Sequence, residues 1–310
     1  MTTAELNLEA FRTELNGYCY RMLGSSFEAE DAVQETMVRA WKALDRFEGR
    51  SALRSWLYRI ATNVCLDMLG SAQRRARPMD LGGPGSKASG LDDLGQMPEM
   101  VWLGPAPDLK VLPDEAAVAK ESIRLAFVAA LQHLPPKQRA VLILREVLAW
   151  SAQEVAELLD TSVASVNSAL QRARATMAET DVKTDIHKPM DEEQKKLLVR
   201  YVDAFERYDM AALAALLHED ATLSMPPLSL WFRGFDDISN WMTGIGNGCV
   251  GSRLIPIVAN GHPAFGQYRT TGPWALIVLE ISAGRIKGIN NFLDVDRLFP
   301  LFGLPPQLPN

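Results

Sequence analysis

The chain has 310 residues, which is enough for two or three domains of ordinary size. Hydrophobic residues make up 47% and charged residues 23%, as in soluble globular proteins, so most of the chain should bury cores. The formal net charge of −6 argues against a protein that coats nucleic acid through bulk positive charge.

The N-terminal residues and the cysteines indicate a reducing compartment. The stretch MTTAELNLEAFRTEL carries acids where a signal peptide needs a basic region and an apolar run. No window approaches the ~18 apolar residues of a membrane span. Cys19, Cys65 and Cys249 are far apart, odd in number and without C-x-x-C spacing, which favours free thiols. We therefore predict a cytoplasmic protein without membrane association, cofactor or metal site.

Helical periodicity runs through residues 5–78, and one helix within it, 28–45, has an acidic side. At about 100° per residue one side is apolar and should be core, with Ala29, Val33, Met37, Ala40 and Leu44. The opposite side carries Asp31, Glu35, Val38 and Lys42, with Gln34 and Trp41 at the margins. An exposed valine beside acids is a modest interface signal, although a solvated amphipathic helix is the simpler explanation for this helix considered alone.

The segment 50–78 is basic and contains aromatic residues. It holds six arginines against one acid, namely Arg50, Arg54, Arg59, Arg74, Arg75 and Arg77 against Asp67. Aromatic rings among cations suit unstacked bases on a phosphate backbone, as in single-strand recognition, with Trp56 as the candidate ring. The alternative for Trp56 is an ordinary place in the core. Asn63 lies seven residues on, hence on roughly the same helical face.

Residues 79–114 are rich in Gly, Pro and Asp. Such a composition buries too little apolar surface to offset its ordering entropy, so it predicts a linker. Its apolar group Met100, Val101, Trp102 and Leu103 could still dock on another part of the protein.

Helical periodicity returns over 115–178 and includes a helix pair at 151–177. Ser151 and Glu154 form a capping box, and Ser162 can cap the second helix. One stripe of that helix should be buried: Val163, Val166, Leu170, Ala173 and Met177. The other face suits a DNA major groove because it offers small hydroxyls, amides and arginines without an acid: Ser165, Asn167, Ser168, Gln171, Arg172 and Arg174. A solvent-exposed face on a plain helical hairpin explains it about as well.

Residues 190–310 differ in character. A helical stretch at 191–217 is followed by short strand-like runs separated by Gly and Pro, namely ATLSMPP, SRLIPIVA, AFGQYRT, WALIVLEIS and RIKGINNFLD. Strands following helices predict a separate α+β domain.

The stretches LGSSFEAEDAVQETMVRAWKALDRF and RSALRSWLYRIATNVCLDML resemble region 2 of extracytoplasmic-function (ECF) RNA polymerase sigma factors. LQHLPPKQRAVLILREVLAWSAQEVAELLDTSVASVNSALQRAR resembles their region 4. The resemblance covers most of residues 8–178. It implies a subunit that binds core RNA polymerase at the clamp of its β′ subunit, melts the −10 promoter element with region 2 and reads the −35 element with region 4.

The resemblance also implies roles for individual residues. The clamp-facing set is Asp31, Gln34, Glu35 and Val38. The set near the melting −10 strand is Trp56, Asn63, Arg74, Arg75 and Arg77. The set facing the −35 element is Ser165, Asn167, Ser168, Gln171 and Arg172, with Arg174 on phosphate.

The C-terminal segments LVRYVDAFERYDMAALAALLHEDATLSMPP, ANGHPAFGQYR and RIKGINNFLD resemble a SnoaL-like domain. This resemblance implies a cone of curved antiparallel sheet wrapped by helices, related to ketosteroid isomerase, with a central pocket for an unknown small molecule. The plausible lining is Asp220, Trp231, Asn260, His262, Tyr268 and Asp294. Because no local Asp/His dyad accompanies His262, we expect ligand binding or packing rather than catalysis, and we predict no catalytic residues.

The predicted fold is therefore two all-α domains, 5–78 and 115–178, joined by the linker 79–114 and followed by an α+β cone over 190–310. The favoured function is a sigma factor whose activity the cone modulates. The alternative is a ligand-sensing helix-turn-helix regulator that acts without being a polymerase subunit. A third hypothesis, an isomerase or hydrolase with a DNA-binding appendage, needs acid/base groups in the pocket.

Overall fold

The structure is a computed structural model that describes residues 7–47, 52–70, 75–85, 102–112, 122–179 and 191–308. The chain divides into two compact units. The helical unit comprises Met1–Arg75 and Asp108–Thr184, and the cone unit comprises Ala76–Pro107 and Asp185–Asn310. The described parts of the predicted linker are thus shared between the units, with residues up to Pro107 in the cone unit.

In chain order, the helices of the helical unit and of the linker are α1 (Arg12–Leu23), α2 (Ser26–Ala43), α3 (Leu53–Leu69), α4 (Pro78–Leu81), α5 (Asp108–Val111), α6 (Leu125–Leu131), α7 (Pro136–Leu142), α8 (Ala152–Leu158) and α9 (Val163–Glu179). A π-helical turn, Ile143–Val147, continues α7.

Helix α2 buries the predicted apolar stripe. Ala29, Val33 and Ala40 are at most 1% exposed, and Met37 and Leu44 are buried with them. The helix begins where the Ser25 side chain accepts a hydrogen bond from the backbone N–H of Glu28. It packs against α1, which is buried along its length and supplies Leu15, Tyr18 and Met22 to the core.

Helix α5 lies directly on α1. A Cβ at Gly17 would come within 2.2 Å of the carbonyl oxygen of Val111, so only glycine permits this approach. Lys110 of α5 also pairs with Glu30 of α2 at 2.6 Å. The last described residues of the linker are therefore anchored on the N-terminal helices.

Within the helical unit the two helical segments pack on each other. The Arg21 guanidinium of α1 donates to Ser122 Oγ at 2.7 Å, and Arg139 of α7 donates to the carbonyl oxygen of Met22. The rings of Tyr58 and Trp150 lie 5.1 Å apart. Buried arginines that donate to carbonyl and hydroxyl oxygens, together with these rings, join the segments before and after the linker.

The helix pair α8–α9 has the predicted caps. Ser151 and Glu154 form the reciprocal capping box, and Ser162 Oγ accepts from the N–H of Ser165 at 3.1 Å. Val166, Leu170 and Ala173 are buried, and Val163 and Met177 are half-buried. The predicted stripe is confirmed.

The cone unit contains helices α10 (Glu192–Glu206), α11 (Met210–Ala214), α12 (Phe235–Thr243) and α13 (Val295–Leu301). Its strands are β1 (Leu217–Ser224), β2 (Trp231–Arg233), β3 (Arg253–Ala259), β4 (His262–Arg269), β5 (Gly272–Ser282) and β6 (Arg285–Phe292). The sequence predicted all of these strands except the short β2.

One sheet in the order β2-β1-β6-β5-β4-β3 forms the cone. The sheet was expected to be antiparallel, and one pair departs from this: β1 pairs with β6 in parallel, Leu223 opposite Ile289. The remaining pairs are antiparallel. β3, β4, β5 and β6 are joined by short turns that reverse the chain, whereas the chain from β1 reaches β6 only after crossing the whole sheet.

Candidate functional sites

The exposed side of α2 presents acids, an amide and a tryptophan. Asp31, Gln34 and Glu35 are exposed and Val38 is half-buried. Glu35 pairs with Arg39 at 2.7 Å. Trp41, which the sequence placed only at the margin, is 73% exposed. A tryptophan this exposed beside acids is typical of an anchor residue in a protein interface.

The predicted −10 residues are in different surroundings. Trp56 is half-buried with its ring centroid 5.0 Å from that of Phe47, and Asn63 is exposed on α3. Arg74 lies outside the described residues. Arg75 is buried and its guanidinium pairs with Glu28 at 2.5 Å. Arg77 lies in the cone unit and pairs with Asp80 at 3.3 Å.

The polar face of α9 is open. All six predicted residues are exposed: Ser165, Asn167, Ser168, Gln171, Arg172 and Arg174. Arg174 donates to Glu146 at 2.7 Å, whereas Arg172 forms no ion pair among the described residues. The amides of Asn167 and Gln171, the hydroxyl of Ser168 and the guanidinium of Arg172 are therefore available to contact base edges.

The linker residues of the cone unit are docked on the cone. The Trp231 Nε1–H donates to the carbonyl oxygen of Gly82 at 2.9 Å, and the N–H of Gly85 donates to the Trp231 carbonyl oxygen at 2.7 Å. The Asn260 side chain accepts from the N–H of Ala106 at 2.8 Å, and its own N–H donates to the Ala106 carbonyl oxygen at 3.0 Å. Two predicted pocket residues therefore hold the linker.

Apolar side chains of this linker segment are buried. Trp102, Leu103 and Ala106 are at most 4% exposed, and the N–H of Leu103 donates to the carbonyl oxygen of Ala76 at 3.1 Å. Met100 and Val101 lie outside the described residues. The segment lacks a core of its own and orders against the cone instead.

A cavity of about 210 Å³ lies inside the cone. Most of its lining is apolar, with Leu213, Leu223, Met225, Ile238, Met242 and Ile289 among the side chains. The polar contributions come from Ser239, Cys249, Gln267, Arg269 and Asn291. Among the described residues, no Asp, Glu or His lines it.

None of the six residues predicted for the pocket lines this cavity. Asp220 is exposed on β1, and Asp294 lies at the start of α13, 3.7 Å from Arg297. His262 is buried at the first position of β4. Tyr268 donates its hydroxyl to the Pro305 carbonyl oxygen at 2.7 Å and packs on Phe299.

Alternation along β4 explains the outcome for Tyr268. Gln267 and Arg269 line the cavity, whereas Tyr268 between them contacts the C-terminal segment on the other side of the sheet. A Cβ at Gly266 would lie 2.6 Å from Leu304, so that segment also lies close over the even-numbered face. The sequence predicted the strand, but it assigned Tyr268 to the cavity, whereas the neighbouring residues Gln267 and Arg269 line it.

The chain matches three known families. Residues 8–75 match Sigma-70 region 2, residues 124–177 match Sigma-70 region 4, and residues 198–288 match the SnoaL-like domain. Over 314 aligned residues the chain is 45% identical to the ECF RNA polymerase sigma factor SigG of Mycobacterium tuberculosis, covering 97% of this chain and 83% of SigG. The chain belongs to the ECF RNA polymerase sigma factor family.

Other ECF sigma factors are more distant. The chain is 30% identical over 173 residues to SigW of Bacillus subtilis, which covers 55% of this chain and 84% of SigW. It is 28% identical over 307 residues to SigJ of Mycobacterium tuberculosis, covering 93% of this chain and 91% of SigJ. The crystal structure of SigJ has the same fold, with a TM-score of 0.62 at 23% identity over 96% of this chain and 98% of SigJ.

The region 2 match of this ECF sigma factor ends at residue 75, where the first segment of the helical unit also ends. The docked linker lies outside all three matches, whereas Trp231 and Asn260, which hold it, lie inside the SnoaL-like match. Within the described ranges no helix is long and apolar enough to cross a membrane. In the same residues no cluster of three or more His, Cys, Asp and Glu could hold a metal ion.

Proposed function

We propose that this ECF sigma factor binds the β′ clamp of core RNA polymerase through the exposed side of α2 and acts in the cytoplasm. The observation that carries this proposal is Trp41, 73% exposed beside Asp31, Gln34, Glu35 and Val38. An acidic surface repels DNA but suits a basic protein partner, and a tryptophan is a frequent anchor of such contacts.

The test is capture of core polymerase by the full chain. The double variant Asp31→Arg/Glu35→Arg should lose most of the captured polymerase because both reversed charges lie on the proposed contact. The matched control Glu192→Arg/Glu193→Arg reverses two exposed charges on α10 and should capture as much as the unchanged chain. Equal capture by both double variants would refute this surface.

Promoter DNA is the second proposed partner. We assign the −35 element to the open face of α9, with Arg172 on bases and Arg174 on phosphate. For the −10 element the assignment is Trp56, Asn63 and the basic segment that contains Arg74, Arg75 and Arg77. Arg75 and Arg77 could contact DNA only after leaving Glu28 and Asp80.

The cone is proposed to restrain transcription by holding the linker. The contact between Leu103 and Ala76, with only four residues more to Pro107, keeps Ala76 and Pro107, the ends of the linker segment in the cone unit, within roughly 20 Å of each other. Promoter elements at −10 and −35 are separated by roughly 85 Å of duplex at about 3.4 Å per base pair. A released linker of about 30 residues could extend to roughly 100 Å, so release would allow regions 2 and 4 to separate over that distance.

The cone is proposed to bind rather than to catalyse. General acid/base chemistry in a pocket needs a group such as Asp, Glu or His near the substrate. Among the described residues none of these lines the cavity, which supports binding.

A further inference from the structure

Arg269 is the charged side chain of the cone cavity, and its surroundings within the cone are unusual. Its guanidinium carbon lies 3.2 Å from the centroid of the Trp274 ring, which fixes the guanidinium plane against an aromatic face. Its Nη2 donates to Cys249 Sγ at 3.2 Å, a weak acceptor. Gly248 leaves room for it, since a Cβ there would lie 3.2 Å from Nη1.

The charge of Arg269 is not compensated by a carboxylate. Among the described residues Arg269 forms no ion pair, and its Nε is buried without a hydrogen-bond acceptor. A buried N–H donor without an acceptor is costly, and such groups are ordinarily paired. Here the donor belongs to the half-buried cation Arg269, which lines a cavity.

The remainder of the cavity defines what could supply the missing anion. A dry cavity of about 150 Å³ accommodates benzene, so about 210 Å³ accommodates a ring with a few further atoms. The lining around Arg269 is aromatic and aliphatic, with Trp241, Trp274 and Met242. Gln267 donates its amide to Ser252 Oγ at 3.0 Å, so that N–H is already used.

We propose that this cavity binds a small, largely apolar carboxylate whose head group pairs with Arg269 and whose body fills the Leu-, Met- and Trp-lined space. The carboxylate accepts hydrogen bonds from Nε and Nη of Arg269, which satisfies the buried donor and neutralises the cation. The site is formed by residues of the cone alone and does not depend on polymerase binding or on linker release. Its lining includes none of the six residues that the sequence predicted for the pocket.

The test compares 3-phenylpropanoate with its uncharged counterpart 3-phenylpropan-1-ol by calorimetry on the full chain. The carboxylate should bind at least about tenfold more tightly than the alcohol, because a charge-assisted hydrogen bond is stronger than a neutral one. Arg269→Gln should remove that preference, and Arg269→Lys should keep part of it. The control Arg200→Gln, on an exposed arginine of α10, should leave it unchanged.

A second readout does not depend on the variants being stable. Cys249 lines the cavity and is only partly buried, whereas Cys19 and Cys65 are buried. Saturating 3-phenylpropanoate should slow alkylation of Cys249 by iodoacetamide in the unchanged chain, and the alcohol at the same concentration should slow it less. Equal binding of acid and alcohol, or no binding and no protection by the acid, would overturn the proposal.

Discussion

The side-chain oxygen of Asn260 accepts a hydrogen bond from the backbone N–H of Ala106 across 154 positions of sequence, at 2.8 Å. Asn260 has a left-handed backbone with φ 55°, in the turn between β3 and β4, and its N–H donates back to Ala106. This reciprocal pair ties the linker to the cone at Ala106. Linker release must break it.

Replacing Asn260 by glycine tests the contact. Glycine keeps the left-handed backbone but leaves the buried N–H of Ala106 without its acceptor, which costs about 1–3 kcal/mol. We expect the Ala106 amide to exchange with solvent roughly ten- to a hundredfold faster, measured by hydrogen exchange. The amide of Leu279 in β5 is the control for global unfolding and should keep its rate. Unchanged exchange at Ala106 would mean that the contact does not hold the linker.

Replacing Trp41 by alanine tests the proposed polymerase-binding side of α2 without changing its charge. Because the ring is 73% exposed, its loss should change the free energy of unfolding by less than about 0.5 kcal/mol. Affinity for core polymerase should fall at least about tenfold, measured by fluorescence anisotropy. Val199→Ala, at a position 71% exposed on α10, is the matched control and should retain full affinity. A similar loss in both variants would contradict the assignment.

The sequence predicted what depends on local periodicity and missed what depends on distant partners. The apolar stripe of α2 and the Ser151–Glu154 box follow from spacings of a few residues, and both are confirmed. The partner of Asn260 lies on a segment whose own composition predicts disorder, and only the cone surface orders it. Such a contact has no local signature.

Strand β4 also shows this contrast, because the sequence predicted the strand but not the distant contact that decides which face lines the cavity. The run AFGQYRT predicts a strand, but its two faces carry similar mixtures of apolar and polar residues. Which face lines the cavity is decided by the C-terminal segment that covers Gly266 and Tyr268. The signal available in the sequence was Arg269, the charged residue of this run, which falls on the face opposite Tyr268.

Arg172 and Arg174 should differ in their effects on DNA binding. Arg172→Ala should weaken binding to a −35 duplex by about 1–3 kcal/mol and relax the preference for its sequence, because an unpaired guanidinium reads base edges. Arg174→Ala, which also removes the Glu146 pair, should weaken specific and scrambled duplexes equally. Gel-shift titrations of the holoenzyme measure both. An equal loss on scrambled DNA for Arg172→Ala would make it a phosphate contact.

Stability of the cone should decline at alkaline pH in part through Tyr208. Burial raises the pKa of Tyr208 to about 12, and its hydroxyl donates to the Met242 carbonyl oxygen at 2.6 Å. The unfolded chain loses this proton near pH 10 while the folded chain keeps it, so the contribution is complete below about pH 10 and is lost as pH rises towards 12. Tyr208→Phe should therefore show a shallower loss of unfolding free energy between pH 10 and 12 in urea titrations. An identical slope would contradict the raised pKa.

This ECF sigma factor directs polymerase to promoters, and we propose that its cone restrains it through the docked linker. Run-off transcription from genomic DNA with core polymerase tests it most directly, using the full chain, Asn260→Gly and Asp31→Arg/Glu35→Arg. We expect transcripts that start downstream of a shared sequence with the full chain, more of them with Asn260→Gly, and far fewer with the charge-reversed variant. The contradicting result has two parts. Neither the full chain nor Asn260→Gly would give promoter-specific transcripts, and the protein would bind a specific duplex sequence tightly without polymerase. That result would identify a free-standing regulator.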